Sequence, residues 1–97
     1  MYQVTADDFL ACVERLDGKS LKTLAREVEF IVHFHKDAAS FTVSSGKERS
    51  FRRRYIERVC RIFSEKASFR TKDYPGFNAS YTLAIIDRCI RERESAT

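Results

Sequence analysis

The 97-residue chain has no tryptophan, one proline and three glycines. So little proline and glycine excludes collagen-like and low-complexity classes, and 43% hydrophobic residues exclude a wholly disordered chain. No apolar run reaches the roughly 18 residues that a membrane-spanning helix needs. Met1 to Asp8 lacks the basic, apolar and small-residue segments of a secretory signal. The three cysteines, Cys12, Cys60 and Cys89, form no C-x-x-C or Cys/His zinc spacing. An odd number of separated cysteines, each among apolar residues, reads as buried free thiols in a reducing cytoplasm. The chain also lacks a P-loop, G-x-S-x-G, H-E-x-x-H or a glycine-rich dinucleotide turn. The expectation is therefore a non-enzymatic, cytoplasmic, single domain spanning residues 1–97, with no cofactor and no membrane partner.

What is present is an uneven charge. The net charge is +4, yet residues 1–46 carry five basic and seven acidic side chains, and residues 47–97 carry thirteen and seven. The excess peaks at Lys47, Arg49, Arg52, Arg53, Arg54, Arg58 and Arg61, opposed only by Glu48 and Glu57. Asymmetry of this kind points toward a polyanionic partner.

Hydrophobic periodicity gives an α+β chain. Thr5 is placed to cap a first helix, with Asp8 in the reciprocal position of a capping box and Val4 and Phe9 as a hydrophobic staple. Phe9, Cys12, Val13 and Leu16 make one apolar stripe, and Gly18 ends the helix. Leu21 to Arg26 fits a short strand or a short helix, the strand being preferred. Val28 to His35 alternates as a strand, with Val28, Phe30, Val32 and Phe34 on one face. Lys36 to Ala39 reads as a polar connection to a strand from Ser40 to Ser44, and Ser44 to Lys47 breaks the pattern. A second helix is expected from about Phe51 to Lys66 with Ser50 as its cap. Its buried face would hold Phe51, Tyr55, Ile56, Val59, Cys60 and Phe63, with Arg54, Arg58 and Arg61 opposite. After a loop over residues 67–77, Asn78 is placed to cap a third helix running to about Arg93, and residues 95–97 are expected to fray. The expected architecture is two layers: a small antiparallel sheet of two to three strands covered by three helices, in the order α-β-β-β-α-α.

The segments Leu21-x-Thr23-Leu24, Glu29-Phe30-x-Val32, Ser44-Ser45-Gly46-Lys47-x-Arg49 and Asn78-Ala79-Ser80-Tyr81 resemble short uncharacterised bacterial proteins carried on mobile elements of the integron-cassette type. The resemblance implies a small bacterial protein and brings no activity with it.

Three sets of residues are candidates for a site. The first is Lys47, Arg49, Ser50, Arg52, Arg53, Arg54, Arg58 and Arg61: arginines at a helix start suffer an unfavourable dipole that a bound anion would offset, and clustered cations suit phosphate backbones. The plain alternative is a solvated helix face with Arg53–Glu57 and Arg61–Glu65 pairs. The second is the loop from Phe69 to Phe77, where Arg70 and Lys72 are interleaved with Phe69, Tyr74 and Phe77. Such rings can stack on bases or simply pin the loop to the core. The third is His33 and His35 with Glu29 on one strand face, short of a metal site for want of a further ligand. Nucleic acid or another polyanion is thus one expected partner. A protein partner or a second copy, docking on the face or edge of the sheet near Ile31, is the other.

Overall fold

The computed structural model describes residues 3–36, 38–76 and 78–95. Helix α1 (Ala6–Leu16) begins as its sequence dictates: the Asp8 N–H donates to Thr5 Oγ1 at 3.1 Å and the Thr5 N–H to Asp8 Oδ2 at 3.0 Å, closing the capping box. Phe9, Cys12, Val13 and Leu16 are all buried, and Gly18 takes φ +80 just beyond the helix.

Four strands follow: β1 (Ser20–Lys22), β2 (Glu29–His35), β3 (Ala38–Val43) and β4 (Glu48–Phe51). They pair as an antiparallel meander in chain order. Helix α2 (Arg53–Lys66), a 3-10 turn at Thr71–Asp73 and helix α3 (Ala79–Ser95) complete the chain. This is the expected α+β architecture with one strand more than anticipated. β4 escapes pattern reading because its inward row is Arg49 and Phe51, one charged and one apolar residue. Phe51 also continues the helical spacing to Tyr55, so the sequence lends it to α2. It is strand: Ser50 pairs with Ser40 and Phe51 with Ala39. Ser50 is therefore not the cap of α2, whose N-cap position falls to Arg52.

Two other boundaries move. β3 starts at Ala38, and Ala39, opposite Phe34, is buried, although alanine is a poor strand former. Asp37, in the expected connection, lies outside the described residues, as do Phe77, Ala96 and Thr97. The segment from Leu21 to Arg26 divides: β1 ends at Lys22, and a tight turn follows. In that turn the Thr23 N–H donates to Val28 O, the Glu27 N–H to Thr23 O and the Val28 N–H to Thr23 Oγ1, each at 3.0 Å. Val28, expected on the inner strand face, precedes β2 and is exposed.

All three helices cover one face of the sheet. Phe30, Val32, Ala39, Phe41 and Phe51 from the strands join Phe9, Val13, Ile56, Val59, Ile85 and Ile86 from the helices in one hydrophobic cluster. At its centre Phe41 lies 5.9 Å from Phe30, 4.6 Å from Phe51 and 4.5 Å from Tyr81, ring centroid to centroid. The opposite sheet face is open, with rows Ser20–Ile31–Thr42–Glu48 and His33–Ser40–Ser50 across it. Helices α1 and α3 are tied at their exposed edges by Arg15–Glu92 at 2.9 Å and Arg93–Asp8 at 2.8 Å.

The three cysteines are free and buried. Burial pushes the Cys60 thiol up to about 12. Cys89 is raised by its hydrogen bond with Cys12 and by burial. A thiol held protonated and enclosed is a poor nucleophile. In the folded protein, Cys60 and Cys89 should therefore resist an aromatic disulfide reagent at neutral pH, and all three cysteines should react in denaturant. A fast native reaction at Cys60 would contradict this placement.

Asp8 is held below the usual carboxylate range, first by the Thr5 backbone N–H and then by the Thr5 hydroxyl and Arg93. Because the folded value is depressed, its contribution is present above the ordinary carboxylate range and is lost as pH falls through the folded value. Asp8→Asn should destabilise the protein near neutral pH, and the difference should shrink below pH ~4, as read from urea midpoints.

Candidate functional site

The basic residues gather where β4 turns into α2. The β3–β4 hairpin closes over Ser44, Ser45 and Gly46: the Gly46 N–H donates to Val43 O at 2.8 Å and the Val43 N–H to Lys47 O at 2.9 Å. Gly46 takes φ +89, the left-handed residue that a three-residue hairpin loop requires. Lys47 is thus exposed at the end of the loop, and Arg49 falls opposite Phe41 on the inner row. Because β4 is an edge strand, Arg49 stays exposed, and its Nη1 reaches Asn78 Oδ1 at 3.5 Å beside the start of α3. Ser50 lies on the open face opposite Ser40, away from that row. Phe51 is buried against Phe41 and Phe9, which fixes the point at which the strand passes to the helix.

Only Arg52 separates β4 from α2. Its backbone is extended, with φ −70 and ψ 137, and its C=O accepts the Ile56 N–H at 3.0 Å. Of the three consecutive arginines, Arg53 and Arg54 occupy the first turn and Arg52 the cap, a shift of two positions from the sequence expectation. The start of α2 has neither a side-chain cap nor an acidic residue in its first turn, whereas α1 has both. Cations at the positive end of a helix cost about 0.3–1 kcal/mol each when exposed.

Arg53 finds relief outside its own helix, in an ion pair with Asp7 of α1 at 3.0 Å. That bond is the main cause that raises the Arg53 pKa, with Glu57 adding a smaller effect. The expected Arg53–Glu57 pair is thereby replaced by an inter-helix one. The expected Arg61–Glu65 pair is not made either: among the described residues, Arg52, Arg54, Arg58 and Arg61 have no ion-pair partner. Arg54, Arg58 and Arg61 recur at helical spacing on the face opposite buried Ile56, Val59, Cys60 and Phe63.

Arg70 and Lys72 belong to a different region. Ser68 donates through Oγ to Asp73 Oδ2 at 2.6 Å and accepts the Arg70 N–H at 3.1 Å, and Tyr74 donates its hydroxyl proton to Ser68 O. Asp73 is lowered first by Ser68 and further by Lys66, Arg70 and Lys72 nearby. Tyr74 is buried, and Tyr55 donates to Pro75 O at 2.9 Å, so these contacts pin the loop to α2. Phe69 rests on Phe63 at 5.2 Å between centroids yet remains exposed. Beside this loop, Lys72 lines a groove of about 420 Å³ with Arg26, Leu24, Val28, Phe69 and Tyr81. The residues from Leu24 to Val28 carry no strong period, which is why sequence reading passed over them as a site.

His33 is half-buried with Nε2 2.8 Å from Thr42 Oγ1, and His35 is exposed. Among the described residues, no group of three or more His, Cys, Asp or Glu side chains could hold a metal ion. No helix among them is long and apolar enough to cross a membrane.

Because Arg52 stands at an unfilled cap, Arg52→Ser should stabilise the protein by about 0.5–2 kcal/mol in urea denaturation. Arg58→Ser, mid-helix and exposed, should not stabilise it. Equal effects at the two positions would dismiss the cap argument.

Compared with family models, curated proteins and solved structures, the chain matches none.

Proposed function

We propose that this is a small non-enzymatic binding protein that holds a polyanion, nucleic acid foremost, on the arginines of the β4–α2 corner and the outer face of α2. The observation that supports the reading most is the set of Arg52, Arg54, Arg58 and Arg61, without ion-pair partners among the described residues. Of the arginines on the other two helices, Arg15, Arg91 and Arg93 are each engaged by a carboxylate, and Arg88 alone has no ion pair among the described residues. A phosphate at the start of α2 would meet the free backbone N–H groups of the first turn together with the Arg52 and Arg54 guanidiniums. Arg58 and Arg61 would carry the contact along the helix, a sequence-independent electrostatic mode. Arg49 and Lys47 extend the same corner. Arg53, committed to Asp7, contributes less.

A second reading, docking of a protein or a second copy on the open sheet, has a weaker basis. Ile31 is exposed there, but its cross-strand neighbours are Ser20 and Thr42, and Glu29 and His33 flank it along the strand. One isoleucine in a polar surround is not an apolar patch.

A binding titration with duplex and single-stranded oligonucleotides over a salt series tests the first reading. Binding should be measurable at low salt and fall steeply as salt rises, each phosphate contact adding close to one unit to the log–log slope. Arg52→Ala/Arg54→Ala/Arg58→Ala/Arg61→Ala should reduce that slope by about two to four. Absence of binding at low salt, or an unchanged slope in the variant, would overturn the assignment.

A further inference from the structure

The groove beside the Thr23–Val28 turn gathers what the rest of the surface lacks. Of the exposed large hydrophobic side chains among the described residues, Leu24, Val28, Ile31 and Phe69, three line it and only Ile31 lies elsewhere. Its volume of about 420 Å³ falls in the range of small-molecule sites. Two cations, Arg26 and Lys72, stand on its rim, and no described lining residue is acidic. Neither has an ion-pair partner among the described residues.

The walls are preorganised. On one side, the backbone bonds between Thr23 and Val28 and the Thr23 Oγ1 acceptor fix the turn that presents Leu24 and Val28. On the floor, the Tyr81 ring is held edge-on to Phe30 at 5.1 Å and stacked on Phe41 at 4.5 Å. On the far side, Phe69 is seated on Phe63, and the 3-10 turn that carries Lys72 is tied by Ser68 to Asp73. A site whose walls are already ordered loses little entropy on binding. A cleft with an apolar wall, two cations and no acidic residue among its described lining selects a ligand with a flat or aliphatic body and one negative group. A neutral hydrophobe would leave the cations unused, and a polyphosphate would leave the apolar wall unused.

We propose that this groove is a binding site for a small amphipathic anion, an aryl or acyl body bearing a carboxylate or a phosphate, with the body against Leu24, Val28, Phe69 and Tyr81 and the charge between Arg26 and Lys72. The site is separate from the arginines of α2 and stands or falls independently of them.

Titration of the protein with naphthoate, naphthyl phosphate and neutral naphthamide, followed by methyl and amide NMR signals, tests the proposal. The anions should shift the signals of Leu24, Val28 and Phe69 and bind about tenfold more tightly than the amide, the scale of one charge-assisted hydrogen bond. Binding by only one anion identifies its head group as the one selected. Arg26→Ala/Lys72→Ala should bring the anions down to the level of the amide, and Val28→Asp should abolish binding of all three. All three substituted residues are exposed, so the amide spectrum should otherwise keep its dispersion. Lys19→Ala, at an exposed cation that lines neither the groove nor the α2 corner, should leave anion binding unchanged. No shift at the groove, equal affinity for the amide, or indifference to loss of Arg26 and Lys72 would each overturn the proposal.

Discussion

Phe41 is the residue on which the arrangement turns. Fully buried in β3, it meets rings from β2, from the end of β4 and from α3. Each contact fixes something further out. The contact with Phe51 anchors the last residue of β4 and so sets where α2 begins and where Arg52 to Arg54 stand. The contact with Tyr81 seats the first turns of α3 on the sheet and forms the floor of the groove. Aromatic pairs of this kind add only about 0.5–1.5 kcal/mol each beyond the area they bury. Their larger effect is geometric, because two separate surface features inherit their positions from one side chain.

The three helices are treated unequally by electrostatics. α1 has its capping box and two acids in its first turn, and its Asp8 also receives Arg93 from α3. α3 balances Arg91 with Asp87 one turn earlier. α2 begins on cations with no cap, and its first turn gains a single external carboxylate, Asp7. Ordinary helix optimisation would place an acid or a hydroxyl there. α1 meets that rule with Thr5, Asp7 and Asp8, and α2 departs from it. The groove follows another logic: apolar side chains left uncovered on a rigid turn, with cations at the rim.

Much of this was legible in the sequence. The cap of α1 follows from Thr5 and Asp8, the core faces of α2 and β2 from their periods, and the layer arrangement from the order of elements. What escaped detection has physical causes. β4 has four residues and one inward apolar side chain, too little for a period of two to register, and Phe51 fits a helical period as well as a strand. Ala38 and Ala39 are strand because their partners in β2 impose it, against their own propensity. The arginine cluster is visible as composition, but spacing along one helix, all that a sequence displays, offers Arg53 only Glu57 as a partner. Its partner Asp7 comes from a segment 46 residues away. The groove needed the fold outright, since Leu24 to Val28 and Phe69 to Lys72 have no sequence relation.

The open edge of β4 has a consequence of its own. A strand at the border of a sheet offers unpaired backbone groups to any passing extended chain, including another molecule's. β4 is only four residues long, carries Glu48 and Arg49, and runs straight into Arg52. The same guanidiniums that crowd this corner therefore act as gatekeepers against strand-to-strand aggregation, by charge repulsion and by the cost of stripping water from them. A neutral corner would leave that edge open to pairing with a second chain.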